Sequence, residues 1–208
     1  MNTDKYRNEM QKVSIRKKIL KIRDKLSKKT IEKNSKKILN NLFSVKEFQK
    51  AKKIMFYSAF RNEIETSEMI KKTLELKKQV FLPKVVKNKI VPAQIKNLKQ
   101  LVPGKFGILE PQATRPTLLR GCPEPQDTSQ LDIVIVPGIA FDKNCNRLGF
   151  GRGYFDRLLR KQTVLKIGLA HNFQIVRSIP VSKNDVVMDI VITEKQIFKK
   201  ANGGLGYG

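Results

Sequence analysis

Apolar residues recur along this chain at two spacings, and the alternation between them lays out its elements. Ile15, Ile19, Ile22 and Leu26 repeat at helical spacing and predict a helix packed on a sheet through that stripe. At about 100° per residue, Lys12, Arg16 and Arg23 fall along one border of the stripe, while Lys17, Lys21 and Lys25 fall on its other side. A border residue can bury its stem and still aim its charge into a cleft. A second helix is expected from Lys28 to Phe43, with Ile31, Ile38, Leu39 and Leu42 inward. Ile54 to Tyr57 then reads as a strand, Ser67 to Leu76 as a helix with Thr66 at its N-cap, and Val80 to Leu82 as a second strand. Leu131 to Val136, LDIVIV, closed by Pro137 and Gly138, has the composition of a buried parallel strand. Lys166 to Ala170 and Ile190 to Thr193 add two more. The expected fold class is α/β: a layered, mostly parallel, Rossmann-like sheet flanked by helices, in a single domain. Val102 to Gln130, rich in proline and glycine and without period, reads as a long irregular connection, and Ala201 to Gly208 as a disordered tail.

Composition narrows the function classes. The 208 residues suit one domain with a sizeable core. No apolar run nears the 18 or so residues that span a membrane, and the charged N-terminus lacks a signal-peptide core. Cys122 and Cys145 show neither Cys-x-x-Cys spacing nor a histidine cluster, which argues for a reduced, cytoplasmic protein without a disulfide framework or zinc site. A monomer is expected. The net charge of +25 would attract polyanions, and residues 1 to 53 alone, with 18 Lys/Arg against 5 Asp/Glu, carry +13 of it. Yet these lysines lie scattered on amphipathic helices with few aromatics among them, so a solvated helix face is favoured over a nucleic-acid site.

The densest chemistry lies in NRLGFGRGYFDRLL, from Asn146 to Leu159. Gly149, Gly151 and Gly153 alternate, Arg147 and Arg152 stand beside them, and a helix is expected to start at Tyr154. Glycines let successive N–H groups converge on phosphate oxygens, and a helix start adds partial positive charge. Asp156, one turn inside, is a natural ligand for the magnesium that accompanies a nucleoside triphosphate. A glycine-rich turn with solvated arginines would show the same short pattern. It is neither a Walker A loop nor a dinucleotide fingerprint.

The longer stretch IVPGIAFDKNCNRLGFGRGYFDRLL resembles the motif of the 5-formyltetrahydrofolate cyclo-ligase (5,10-methenyltetrahydrofolate synthetase) family, which runs roughly PG-x-aromatic-D and then RLG-x-G-x-GYYD. Further features of the family recur in order: Lys12 and Arg16, NEIET from Asn62 to Thr66, FLP at Phe81 to Pro83, FGILEP at Phe106 to Pro111, and MDIVIT at Met188 to Thr193. The resemblance implies a cyclo-ligase domain over residues 1 to 200. It further implies ATP- and magnesium-dependent closure of 5-formyltetrahydrofolate to 5,10-methenyltetrahydrofolate, with release of ADP and phosphate.

In residues, the resemblance implies ATP contacts from Lys12, Arg16, Arg147, Leu148, Gly149, Phe150, Gly151, Arg152, Gly153, Tyr154 and Phe155. Folate contacts are implied for Ser58, Glu63, Phe150, Gly151, Arg152, Gly153 and Tyr154. Arg147, Arg152 and Tyr154 would be catalytic, and Asp156 and Asp189 would hold magnesium. Glu63 suits a pterin, because a carboxylate accepts two parallel hydrogen bonds from its amino and ring N–H groups; its alternative is an acid favouring the next helix start. Two positions depart from the family: Phe155 replaces a tyrosine, and Cys145 stands where a turn glycine is common, so the loop shape there is open. His171, the only histidine, reads as a loop or core residue. The alternatives are a relative that binds or acts on another reduced pterin, and a basic nucleic-acid-binding protein.

Overall fold

A computed structural model describes residues 3–87, 89–104, 107–111, 131–160 and 162–201. The chain begins with three helices, α1 (Thr3–Arg23), α2 (Lys28–Phe43) and α3 (Lys46–Lys50), before the first strand, β1 (Lys53–Met55). Ser27 starts α2 as its N-cap, its hydroxyl accepting the Thr30 N–H at 3.2 Å. Next come α4 (Ser67–Glu75), the hairpin of β2 (Gln79–Val86) and β3 (Lys89–Ile95), and the short pair β4 (Leu101–Pro103) and β5 (Leu109–Pro111). The second half holds β6 (Ile133–Val136), β7 (Ala140–Asp142), β8 (Arg147–Leu148), α5 (Tyr154–Leu159), β9 (Leu165–Leu169), β10 (Ile175–Val176), β11 (Ile190–Ile192) and β12 (Ile197–Lys199).

Seven strands form the main sheet in the order β12-β11-β9-β6-β1-β2-β3. Neighbours from β11 through β2 run parallel, and antiparallel β12 and β3 close the edges. Alternation along the strands separates two cores. Ile54, Ile133, Ile135, Ile167 and Ile190 face the layer of Ile38, Leu42 and Phe48 from α2 and α3, whereas Met55, Val134, Val136 and Val191 face Phe141 and Leu159. A small sheet, β10-β7-β8, stands beside this second layer, and α1 packs on it through Ile19, against Ile139, Ala140, Leu148 and Ile179. The Phe141 ring fills the space over two glycines: a Cβ at Gly138 or Gly168 would come within 2.5 Å of it. The α/β class, the parallel sheet and the single domain are as the sequence implies.

Three details differ from the sequence reading. The inward face of α1 is rotated toward its charged border: Lys12, Ile19 and Arg23 are buried, and Ile22 is 39% exposed. Thr66 sits at the N-cap of α4 but caps nothing, because its hydroxyl donates to the Tyr57 carbonyl at 2.6 Å. The segment from Val102 is not irregular throughout, since β4 and β5 pair in register from Leu101↔Pro111 to Pro103↔Leu109. Its remainder, 112–130 with Cys122, lies outside the described residues, as do Phe106 and positions 202–208 of the expected tail.

Candidate active site

Because β1, β6 and β9 run parallel, the loops leaving their carboxyl ends gather at one rim of the sheet. The loop after β6 returns through β7 and β8 to the glycine run. Its shape is fixed by Asp142, a buried carboxylate that accepts from the Asn144 and Asn146 N–H groups, the Asn146 side chain and the Ile179 N–H, all at 3.0 Å. This turn places Cys145 at φ 64°, so the loop keeps a glycine-like conformation without glycine. Burial, then the nearby Asp142 and Asp189 carboxylates, push the Cys145 thiol up to about 11 and leave it unreactive.

Arg147, on β8, points one guanidinium nitrogen at the Pro137 carbonyl (3.1 Å) and the other at both oxygens of Asp156 (2.8 Å each). Asp156 also accepts the Val186 N–H at 3.2 Å. The glycine run arches from Arg147 to Asp156, with Gly151 at φ 96° and Gly153, the α5 N-cap, at φ 63°. From α1, Arg16 donates through Nε to the Gly149 carbonyl at 3.0 Å, and Lys12 pairs with Asp185 at 2.6 Å. Burial pushes the Asp185 carboxyl up, yet the Lys12 ammonium and the Ser182 N–H and hydroxyl hold it below its ordinary value.

The second part of the site is NEIET. Arg61 and Asn62 both take positive φ, 46° and 55°, and Asn62 is pinned from two sides. Its side chain donates to the Arg23 carbonyl at 3.1 Å, and its own carbonyl faces His171 Nε2 at 3.3 Å, while Asn34 donates to His171 Nδ1 at 3.1 Å. Burial lowers the His171 pKa, so the ring is a neutral core brace, in keeping with the sequence reading. Glu63 is 6% exposed and accepts the Phe60 N–H at 3.0 Å; it is no helix-entry acid. Its carboxyl is pushed up to about 7, chiefly by burial, against the pull of Arg23 and the Phe60 N–H and with a further push from Glu65.

Arg23 joins the two parts. Its guanidinium lies 3.6 Å from Glu63 and under the Phe150 ring of the glycine run, with Cζ 5.5 Å from the ring centroid. Glu63 and Phe150 thus meet at Arg23, and the Gly149 carbonyl and Gly151 lie against Arg16, both on α1. Ser58 is present with its Oγ buried. Tyr154 lies beneath the Arg157 guanidinium, which also donates to the Arg152 carbonyl at 2.9 Å. The Phe155 ring packs against both cores. Leu148 buries its side chain beside α1 and gives its carbonyl to the Ile139 N–H at 2.7 Å. Asp189 has a partner of its own: its carboxylate takes the N–H and ammonium of Lys166 at 2.8 and 2.9 Å, at the amino-terminal start of β9. Among the described residues no group of three or more His, Cys, Asp or Glu is set to hold a metal ion. No helix among them is long and apolar enough to cross a membrane.

Three contributors escape a sequence reading. Arg23 looked like one more border cation. Asp142 stood within the quoted motif without a role, and Gln174 gave no signal, though its buried amide donates to the Gly138 and Ile139 carbonyls at 3.0 and 2.9 Å.

A parallel sheet with a glycine loop, a guanidinium–carboxylate pair and a buried carboxylate at one rim defines an α/β enzyme of small-molecule chemistry. The chain belongs to the 5-formyltetrahydrofolate cyclo-ligase family, whose model matches residues 8–194. A probable 5-formyltetrahydrofolate cyclo-ligase of Caenorhabditis elegans is 31% identical over 186 residues, spanning 82% of this chain and 86% of that protein. The Haemophilus influenzae 5-formyltetrahydrofolate cyclo-ligase is 29% identical over 192 residues, 89% and 99% of the two chains. The solved structure of Aquifex aeolicus 5,10-methenyltetrahydrofolate synthetase superposes with a TM-score of 0.77 at 35% identity, covering 93% of this chain and 94% of that one.

Proposed function

We propose that this enzyme closes 5-formyltetrahydrofolate to 5,10-methenyltetrahydrofolate at the expense of ATP, with magnesium. The observation that carries the reading is the meeting, around Arg23, of a glycine run suited to phosphates and a buried carboxylate suited to a pterin. A formamide is a poor electrophile and its oxygen a poor leaving group. Transfer of the γ-phosphoryl of ATP to the formyl oxygen corrects both, after which N10 attacks the formyl carbon and phosphate departs.

Such a transfer needs positioning and charge neutralisation more than a protein nucleophile. The glycine N–H groups, Arg147 and Arg152 fit that role, and Arg16 and Lys12 flank the loop from α1. Tyr154 and Phe155 bound its far end. Glu63, Ser58 and Phe150 would hold the pterin. Asp156, an 18% exposed carboxylate at the end of the glycine run, would serve magnesium as one protein ligand beside phosphate oxygens, sharing its charge with Arg147, to which both its oxygens are bonded. Bound there, the metal would neutralise charge on the phosphoryl oxygens. Asp189, paired with Lys166 as Asp156 is with Arg147, would be the second carboxylate ligand.

The test is direct. With ATP, magnesium and 5-formyltetrahydrofolate, the methenyl product should appear by absorbance, one phosphate released per ring closed. Tight pterin binding without turnover would favour a relative acting on another reduced pterin.

A further inference from the structure

Arg23 closes α1 at the floor of the site. Its guanidinium is 0% exposed, and Nε, Nη1 and Nη2 are all without a hydrogen-bond partner among the described residues. The other inward cations of α1 are engaged, Lys12 by Asp185 and Arg16 by the Gly149 carbonyl. Unspent buried donors are costly and rare in folded proteins unless something else takes them up. The nearest charge, Glu63, stands 3.6 Å from Nη1, beyond hydrogen-bond reach, so each group keeps capacity for a third party lying against both. Ser58 Oγ, on the same loop as Glu63, is also buried and has no hydrogen-bond partner among the described residues. Phe150, 46% exposed, supplies a flat face over the guanidinium. Donors, an acceptor and an aromatic face together form a reader for the edge of a flat heterocycle.

We propose that Arg23 is a substrate-binding, specificity-determining residue that donates to the 4-oxo group of the pterin while Glu63 accepts from its ring N–H and 2-amino group. The inference rests on the folate reading of the site. The edge of a 4-oxo pterin runs acceptor, donor, donor, which complements a guanidinium beside a carboxylate. A 4-amino pterin sets a donor against Arg23 and leaves the buried guanidinium unsatisfied. Sites built around a buried hydrogen-bonding group discriminate strongly against ligands that leave it unpaired. The enzyme therefore rejects 4-amino pterins, and the rejection resides in Arg23.

Calorimetric titration of the full chain with 5-formyltetrahydrofolate and with its 4-amino-4-deoxy counterpart tests this, using ATP affinity and the thermal midpoint as controls. Wild type should favour the 4-oxo ligand by about 100-fold or more. Arg23→Lys keeps a charge beside Glu63 but loses the planar fork, and should narrow the ratio about tenfold. Arg23→Met should abolish it, weakening the 4-oxo ligand while the 4-amino ligand holds or gains; if that variant does not fold, the lysine variant decides alone. A loss of both ligands by one common factor would mean that Arg23 only steadies Glu63, and the proposal would fail. Equal binding of the two by wild type would overturn it too. A wild type that binds neither and makes no methenyl product would overturn the folate reading itself, and this inference with it.

Discussion

One guanidinium nitrogen of Arg147 donates to both carboxylate oxygens of Asp156 at 2.8 Å, across the whole span of the glycine run. The pair is nearly out of water, the side chains being 4% and 18% exposed, and it fastens the two ends of the loop, while Arg147 Nε is buried without a hydrogen-bond partner among the described residues. Asp156→Asn should therefore cost more than metal affinity. The amide accepts through one oxygen only and leaves Arg147 with donors unspent, which should lower stability by about 1–3 kcal/mol. Denaturant unfolding of the apoenzyme measures that loss, and a magnesium titration of activity measures the other. Wild-type values in both would show that neither loop closure nor metal binding runs through this carboxylate.

Gly151 is a different kind of position. Among the described residues a Cβ there meets only the Arg16 guanidinium, at an ordinary 3.7 Å, so space does not require glycine. The backbone does, since φ 96° is a conformation that residues with a Cβ avoid. Gly151→Ala should shift the loop, at a local cost of about 1–2 kcal/mol. Separate titrations should show ATP binding weakened more than folate binding, because Glu63 and Ser58 sit on another loop. Equal losses would mean that the run serves both ligands alike.

The parallel strands were legible because their burial on both faces demands β-branched and aliphatic runs such as IVIV in β6 and IVI in β11. Elements whose pairing is short or marginal were not. The small sheet of β7, β8 and β10 rests on strands of two or three residues, too short for any period, and β3 carries lysine and proline, as an edge strand can. The glycines, Asp156 and Glu63 of the candidate site stood out in the sequence through the resemblance. The orientation of the site did not, because two of the three buried residues of α1, Lys12 and Arg23, are cations beside Ile19. Buried cations look like solvated ones in a sequence, and only Asp185, Glu63 and Phe150, far along the chain, reveal which they are.

Glu63 gives the enzyme two opposite pH dependences. Its carboxyl titrates at about 7 in the folded chain against an ordinary 4.5, so the folded state holds the proton more tightly than the unfolded one. Its contribution to stability is fully present below about pH 4.5 and is lost as pH rises through about 7, a swing on the order of 3 kcal/mol. If Glu63 holds the pterin as proposed, binding draws on the carboxylate and should strengthen over the same rise. Denaturation of wild type and Glu63→Gln at about pH 5 and about pH 8 isolates the first effect, since glutamine does not titrate. The KM for folate, followed across the same range, isolates the second. A stability difference between the two proteins that did not move with pH would place the proton elsewhere.

Charge on α1 separates local contact from long-range attraction. Lys17, Lys21 and Lys25 are exposed, whereas Lys12 is buried against Asp185 and Arg16 holds the Gly149 carbonyl. Reversing the three exposed lysines to glutamate should leave the KM for ATP nearly unchanged at physiological salt, because solvated charges that make no contact with the loop act only through a field that salt screens. The same change should sharply reduce any salt-sensitive RNA binding, in which each phosphate contact counts. Lys12→Ala with Arg16→Ala should raise the ATP requirement. It removes charge-assisted contacts worth about 1.5–3 kcal/mol each, and it frees the loop at Gly149. Folate affinity should fall less, since Glu63 keeps Arg23. ATP kinetics of the two variants, run at low and physiological salt, make the comparison. If the triple reversal harmed ATP use as much as the double alanine, and salt erased the difference, the field of the basic helix rather than the Arg16 contact would govern the nucleotide.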